Sequence, residues 1–192
     1  MVAADKAAPV LAAAHDVDLA ALAKGGDRRA FSELVRRHGP AVRGLLRRLG
    51  AEPGLADPLA RDAFLRAFEQ LGEFRRDLAF QAWVKRIAAR LFARQWLRDE
   101  ARRAKQGAPA ADDAGHVPGP PGLEGALKVL PGAERVCVAL CYGGGLSHAE
   151  VADALKLPLG AVKSHVRDGL DRLKLHLEPP KDDGASRRRV DG

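Results

Sequence analysis

The sequence predicts an all-α protein made of two helical units joined by a Pro/Gly-rich linker. Three observations carry that prediction. Ala, Leu and Arg are used heavily while aromatic residues make up only 5%, a mix that favours helices over a sandwich or barrel built from Val, Ile, Thr and Tyr. Apolar residues recur at helical spacing along most of the chain. Between Gly107 and Gly122 the sequence reads GAPAADDAGHVPGPPG, a composition that builds no core and behaves as a linker. The apolar fraction of 46% excludes wholesale disorder. No apolar run approaches the roughly 18 residues of a membrane helix, so no membrane insertion is expected. The first residues hold Lys6 and Pro9 without a sustained apolar stretch, which argues against a secretory signal. Two cysteines cannot form a disulfide framework. A cytoplasmic, basic protein is the expectation.

The elements follow in order. An arm spans 1–22, a first unit 23–106, the linker 107–122, a second unit 123–178 and a tail 179–192, with the ends near 1–15 and 179–192 expected to fray. Asp27 is a candidate N-cap for a helix whose positions Ala30, Phe31, Leu34 and Val35 share a face. Gly39-Pro40 is expected to interrupt it before Val42, Leu45, Leu46 and Leu49 resume the period. Asp57-Pro58 reads as a second start, cap then Pro at the first helical position, leading to Leu59, Ala63, Phe64, Ala67, Phe68 and Leu71. Asp77 should open the longest helix, with Phe80, Trp83, Val84, Ile87, Leu91 and Leu97 facing inward.

Charge is unevenly placed. Residues 24–106 carry twenty cations and ten anions, net +10 of the chain's +7, the footprint expected for a polyanion. Within it Arg86, Arg90, Arg94, Arg98 and Arg102 recur every four residues. Such a row winds slowly around a helix and covers about 24 Å, comparable with a short run of DNA phosphates. The bland alternative is a solvated face held by i,i+4 ion pairs, but only Asp99 and Glu100 lie nearby and like charges at that spacing repel.

The second unit holds a sharper signal. Ser147 and Glu150 form a capping box directly before Val151, Ala152 and Leu155. A break at Leu157-Pro158-Leu159-Gly160 follows, and a longer helix runs from Ala161 through Val162, Val166, Leu170 and Leu173. Short helix, tight turn, longer helix is a helix-turn-helix pattern, shared with ordinary helical hairpins. Lys163, Ser164 and Arg167 are then placed to face a groove.

Other constellations read as structure. Cys137 and Cys141 flank Val138, Ala139 and Leu140 and lack the further ligands a zinc site needs. Trp83 falls on the core face, whereas Trp96 sits between Arg94 and Arg98 with packing and base stacking both open. Gly143-Gly144-Gly145 reads as a loop without the context of a phosphate-binding turn. No catalytic arrangement is visible, so no enzyme and no cofactor are expected.

With both units in view, the chain resembles the extracytoplasmic-function (ECF) group of bacterial sigma-70 family RNA polymerase sigma factors. DRRAFSELVRRHG and DAFLRAFEQLGEFRRDLAFQAWVKRIAARL resemble their second domain, and LPGAERVCVALCYGGGLSHAEVADALKLPLGAVKSHV their fourth. The resemblance implies a domain-2-like helical bundle and a domain-4-like helix-turn-helix that together direct core RNA polymerase to promoter DNA. Lys163, Ser164 and Arg167 would read the −35 element in the major groove, where Lys and Arg donate to guanine or phosphate. Arg75, Arg86, Arg90, Arg94 and Arg98 would hold the −10 strand as it opens, near the loop Gly72 to Ala79. Asp57, Arg61, Phe64 and Arg66 would meet polymerase, and an anti-sigma factor is an implied partner.

The chain departs from the family pattern where members usually read Asp-Leu-Val-Gln and here Pro58-Leu59-Ala60-Arg61 stands. Arg90 replaces a usual Asn, Ala161 a common Thr, and His165 and Asp168 common Arg residues. Pro58 and Arg61 motivate an alternative, a sigma-like DNA-binding regulator without productive polymerase binding. A third reading is a scaffold whose basic face meets an acidic protein, distinguished by salt-insensitive binding.

Overall fold

The computed structural model describes residues 11–51, 53–75, 79–106 and 123–177. Among these residues every regular element is helical. The expected linker 107–122, the tail from 179 and the expected cap Asp77 lie outside the described residues.

The N-terminal half comprises α1 (Asp16–Lys24), α2 (Arg28–Arg48), α3 (Pro53–Glu69), a 3-10 turn (Leu71–Glu73) and α4 (Phe80–Lys105). Asp27 caps α2 as expected, its carboxylate accepting from the Arg29 and Ala30 amides at 2.9 and 3.4 Å; such a cap stabilises a helix by about 1 kcal/mol. Both proline breaks are corrected. Helix α2 runs unbroken through Pro40, and α3 starts five residues before Pro58, at Pro53. Each proline removes one N–H, orphaning the Arg36 or Gly54 carbonyl. Pro40, Arg36, Pro58 and Gly54 are all exposed, so water satisfies the orphans and the buried faces hold the helices together. Asp57 is therefore a mid-helix residue. Helix α4 begins at Phe80 behind Ala79, with no side-chain cap.

The arm is better anchored than expected. Residues 11–13 form a helical turn, and Leu19, Ala20 and Ala23 of α1 are buried. Arg37 of α2 donates to the carbonyls of Leu11, Ala12 and Ala14 at 2.8–2.9 Å and to Asp16 Oδ1 at 3.0 Å. Its planar fork thereby satisfies the orphan carbonyls that end the turn. Around Phe80 an aromatic cluster closes the α2–α3–α4 core: Phe74 and Trp83 lie 5.4 and 5.8 Å from it, and Phe31 6.4 Å.

The C-terminal half comprises α5 (Leu123–Val129), α6 (Gly132–Val138), a π turn (Ala139–Gly143), α7 (His148–Leu155) and α8 (Leu159–Leu177). Most of its apolar residues share a core with the N-terminal half. Val136, Cys137, Leu140, Leu146, Val151, Leu155, Val162 and Val166 belong to one buried cluster with the N-terminal half, while Ala126, Leu127, Leu130, Val138 and Leu173 make a smaller one. Helix α4 packs against α7, and α2 against the π turn. The glycine run explains the approach. A Cβ on Gly143 would stand 2.8 Å from Leu45 Cδ1, and one on Gly144 2.8 Å from Ala89 Cβ. What reads as a plain loop is a contact surface, tightest at Gly144, where a Cβ would also stand 2.7 Å from the Leu140 carbonyl oxygen.

Candidate nucleic-acid interface

The helix-turn-helix is built as its capping box predicts. Ser147 Oγ accepts from the Glu150 amide at 3.3 Å, and Glu150 Oε2 accepts from the Ser147 amide at 2.9 Å. Lys156 ends α7 in the left-handed region at φ 54°. Helix α8 starts at Leu159, two residues earlier than expected, because Pro158 suits a helix entrance and Gly160 is tolerated inside the first turn. Val162, Val166 and Leu173 are buried beneath α8. Lys163 and Arg167 consequently stand exposed one turn apart, with Ser164 half-buried beside them. Arg167 Nε donates to Asp168 Oδ1 at 3.0 Å, so part of the exposed positive charge on α8 is already neutralised.

The arginine row on α4 divides into two. Arg86 and Arg90 both donate to a single oxygen, Glu150 Oε1, at 2.6 and 2.8 Å. Arg94 and Arg98 instead line an open cleft of about 420 Å³ with Leu59, Asp62, Leu65, Arg66, Glu69 and Leu91. Arg98 donates to Gln95 Oε1 at 2.7 Å and Arg102 to Asp99 at 3.1 Å. Arg75 is exposed in the loop before α4, whose residues 76–78 lie outside the described set.

Of the four residues assigned to polymerase, three come together. Asp57, Arg61 and Phe64 line a hollow of about 610 Å³ between α2 and α3 with Phe31, Val35, Arg43 and Arg47. Asp57 faces Arg43 Nε at 3.8 Å, and Phe64 is only 5% exposed, forming the floor. Arg66 sits in the other cleft, beside Arg94 and Arg98. It joins the arginine row, because residues 61 and 66 are five apart and so about 140° apart around a helix.

Sequence reasoning missed three acids or cations that shape these surfaces. Arg43 and Arg47 reach the hollow from α2, where only their spacing could have placed them. Glu150 was legible as a cap, but its second oxygen serves residues some 60 positions away. Burial pushes the Glu150 carboxyl up, yet the Ser147 amide, the Arg86 guanidinium and the Ser147 hydroxyl outweigh it and hold the group at about 2. Asp153, one turn further along α7, is lowered chiefly by Lys156, with Arg90 and Arg94 contributing.

The cysteines are inert packing. Cys137 is buried and its thiol is pushed up to about 12, by burial first and the neighbouring Cys141 second. Burial also raises Cys141. Trp96 is half-buried: it packs against the core and also lines an open cleft with Arg102 and Arg103. No helix among the described residues is long and apolar enough to cross a membrane.

A capped helix-turn-helix with exposed cations on its second helix, carried in one chain with a long arginine-lined helix, defines a DNA-binding protein of the transcription class. Comparison with known proteins narrows the class. Residues 34–103 match the family model of Sigma-70 region 2, and residues 126–175 that of Sigma-70, region 4. The ECF RNA polymerase sigma factor SigM of Mycobacterium tuberculosis is 32% identical over 166 residues, 82% of this chain and 82% of SigM. The RNA polymerase sigma-H factor of Pseudomonas aeruginosa is 28% identical over 184 residues, 86% of this chain and 95% of its own length. In fold, the chain is similar to the sigma factor RpoE solved with the anti-sigma factor NepR from Bartonella quintana, with a TM-score of 0.51 at 20% identity over 78% of this chain and 98% of that one.

The chain belongs to the ECF RNA polymerase sigma factors. It acts in transcription initiation, and the alternative of a regulator without polymerase is not favoured: the chain itself carries both regions, and the relatives it matches along most of their length are named RNA polymerase sigma factors.

Proposed function

We propose that the two halves divide promoter recognition between them, with working units at 23–106 and 123–178. Helix α8 reads the −35 duplex through Lys163, Ser164 and Arg167, while Arg75, Arg86, Arg90, Arg94 and Arg98 hold the −10 strand as it separates. The observation that carries this is the pairing of exposed Lys163 and Arg167 on a capped helix-turn-helix with an arginine row on α4. Phosphate contacts along such a row position the strand, and base-edge contacts from α8 supply sequence. Opening needs no covalent step; binding energy for the separated strand drives it.

The α2–α3 hollow with Asp57 and Arg61 at its rim and Phe64 at its floor is the surface offered to core polymerase. Arg66 contributes to the strand-binding side instead. An anti-sigma factor, of the kind solved with RpoE, would compete for the same faces. Reconstitution with purified core polymerase, followed by transcription from a library of genomic fragments, tests the reading. Discrete start sites that disappear with Arg61→Glu are expected. Binding to DNA without binding to polymerase would overturn it.

A further inference from the structure

The guanidinium of Arg37 on α2 is fully used. Its Nε donates to Glu33 Oε1 at 2.8 Å, Nη1 to the Ala14 carbonyl and Asp16 Oδ1 at 2.8 and 3.0 Å, and Nη2 to the Leu11 and Ala12 carbonyls at 2.9 and 2.8 Å. Five N–H groups meet five acceptors, four of them on the arm. Asp16 is shared, since its Oδ2 accepts from His38 Nε2 at 2.7 Å. An ionised carboxylate only accepts, so that ring nitrogen carries the proton. The His38 ring lies 5.6 Å from that of Phe80, the first residue of α4. Phe80 in turn is 5.4 Å from Phe74, and α1 packs against the 3-10 turn Leu71–Glu73, whose Leu71 is buried. The arm thus reaches both ends of the segment that carries exposed Arg75: the turn before it through α1, and Phe80 after it through His38.

We propose that the arm is a brace for strand capture, with Arg37 and His38 as its positioning residues. Neither needs to touch DNA. Arg37 fixes the arm on α2, Asp16 links that fork to His38, and α1 and the His38 ring hold the two ends of the segment from which Arg75 is presented. Holding the ends in advance spares an ordering cost that strand binding would otherwise carry. The positioning role rests on the strand-binding function proposed for Arg75 and α4; the brace itself does not.

Two variants separate bracing from plain electrostatics. Asp16→Ala removes a negative charge, so general attraction for a polyanion should rise, whereas a broken brace should lower strand affinity. Arg37→Lys keeps the charge but replaces the five-donor fork by three donors on a point charge. Amide hydrogen exchange of the full chain, read residue by residue, reports the brace at the hydrogen-bonded amides of Glu73, Phe74 and Trp83. Titration with a fluorescent single-stranded oligonucleotide of mixed sequence reports strand capture. In both variants exchange at these three amides should quicken about tenfold while α8 is unchanged. Strand affinity should fall about fivefold, as when only a fifth of the chain keeps the competent form. Affinity for −35 duplex should stay at the wild-type value.

Unchanged exchange at Glu73, Phe74 and Trp83, or exchange quickened throughout the chain with α8 included, overturns the brace. Faster local exchange with strand affinity kept or raised overturns the positioning role. Arg37→Lys indistinguishable from wild type assigns Arg37 to charge alone and overturns that role as well. If no form binds the oligonucleotide while exchange responds as expected, the strand-binding reading fails, positioning falls with it, and the brace stands on the exchange.

Discussion

The two surfaces proposed to face DNA in this sigma factor are both built from cations on a helix, yet they are restrained differently. On α8 the partner of Arg167 is Asp168, the adjacent residue. On α4 the partner of Arg86 and Arg90 is Glu150, which arrives from the other half of the chain. The first restraint travels with its helix and persists in any arrangement of the halves. The second exists only while α7 is docked. On the proposed roles, a fixed acid next to a reading residue would lower affinity permanently, whereas an acid on a separate element would make affinity depend on conformation.

The largest expected effect removes the α8 side of that contrast. Arg167→Glu takes away a groove contact and adds a charge that phosphates repel, so duplex affinity for a −35-containing promoter should fall about a hundredfold. Helicity by circular dichroism should be unchanged, because Arg167 is exposed and touches only Asp168 among the contacts described. Unaltered affinity would remove α8 as the reading helix.

Replacing Arg90 and Arg94 together with Ala probes the other surface. One of the pair is bound by Glu150 and the other lines the cleft with Arg66. Open-complex formation, followed by permanganate reactivity of unpaired thymines, should fall about tenfold while duplex retention changes less. Equal loss in both assays would contradict a division of labour between the helices.

Asp168→Asn sharpens the α8 side in the opposite direction. The ion pair with Arg167 is solvent-exposed and intrinsically weak, but its acid also faces the region where phosphate would lie. A gain in duplex affinity of about two- to fivefold is expected, larger at low salt and shrinking as salt screens the repulsion. A gain independent of salt would point to a packing change instead.

Much of this architecture was legible because the signals were local. Asp27 before a helical period and Ser147 three residues before Glu150 announce helix starts through hydrogen bonds within one turn. The exposure of Lys163 and Arg167 follows from the inward positions of Val162 and Val166. Two proline signals misled, because a break is decided by whether the orphaned carbonyl meets water and whether the buried face continues. At Pro40 and Pro58 both conditions favour an unbroken helix. Helical geometry places Arg66 in the cleft with Arg94 and Arg98, apart from the hollow lined by Asp57, Arg61 and Phe64. The clamp on Arg86 and Arg90 was beyond reach altogether, since the acid lies 60 or more residues away and nothing in a local window connects them.

The smallest expected effect distinguishes the two restraints by pH. The Glu150 carboxyl sits at about 2 in the folded chain against an ordinary 4.5. A group lowered on folding contributes its stability fully above its unfolded value and loses it as pH falls through the folded one. The fold should therefore gain and lose nothing from Glu150 between pH 8 and 5 and weaken only in acid between 4.5 and about 2, and of that loss only the Arg86 share belongs to the contact between the halves, the Ser147 share being internal to α7. Salt acts differently, screening the exposed parts of the Arg86 and Arg90 contacts at any of these pH values. A radius of gyration that is flat across pH 8 to 5 but rises with added salt is the expected pattern. Expansion on acidification to pH 5 would assign the packing of the halves to a group titrating near neutrality, and Glu150 would no longer account for it.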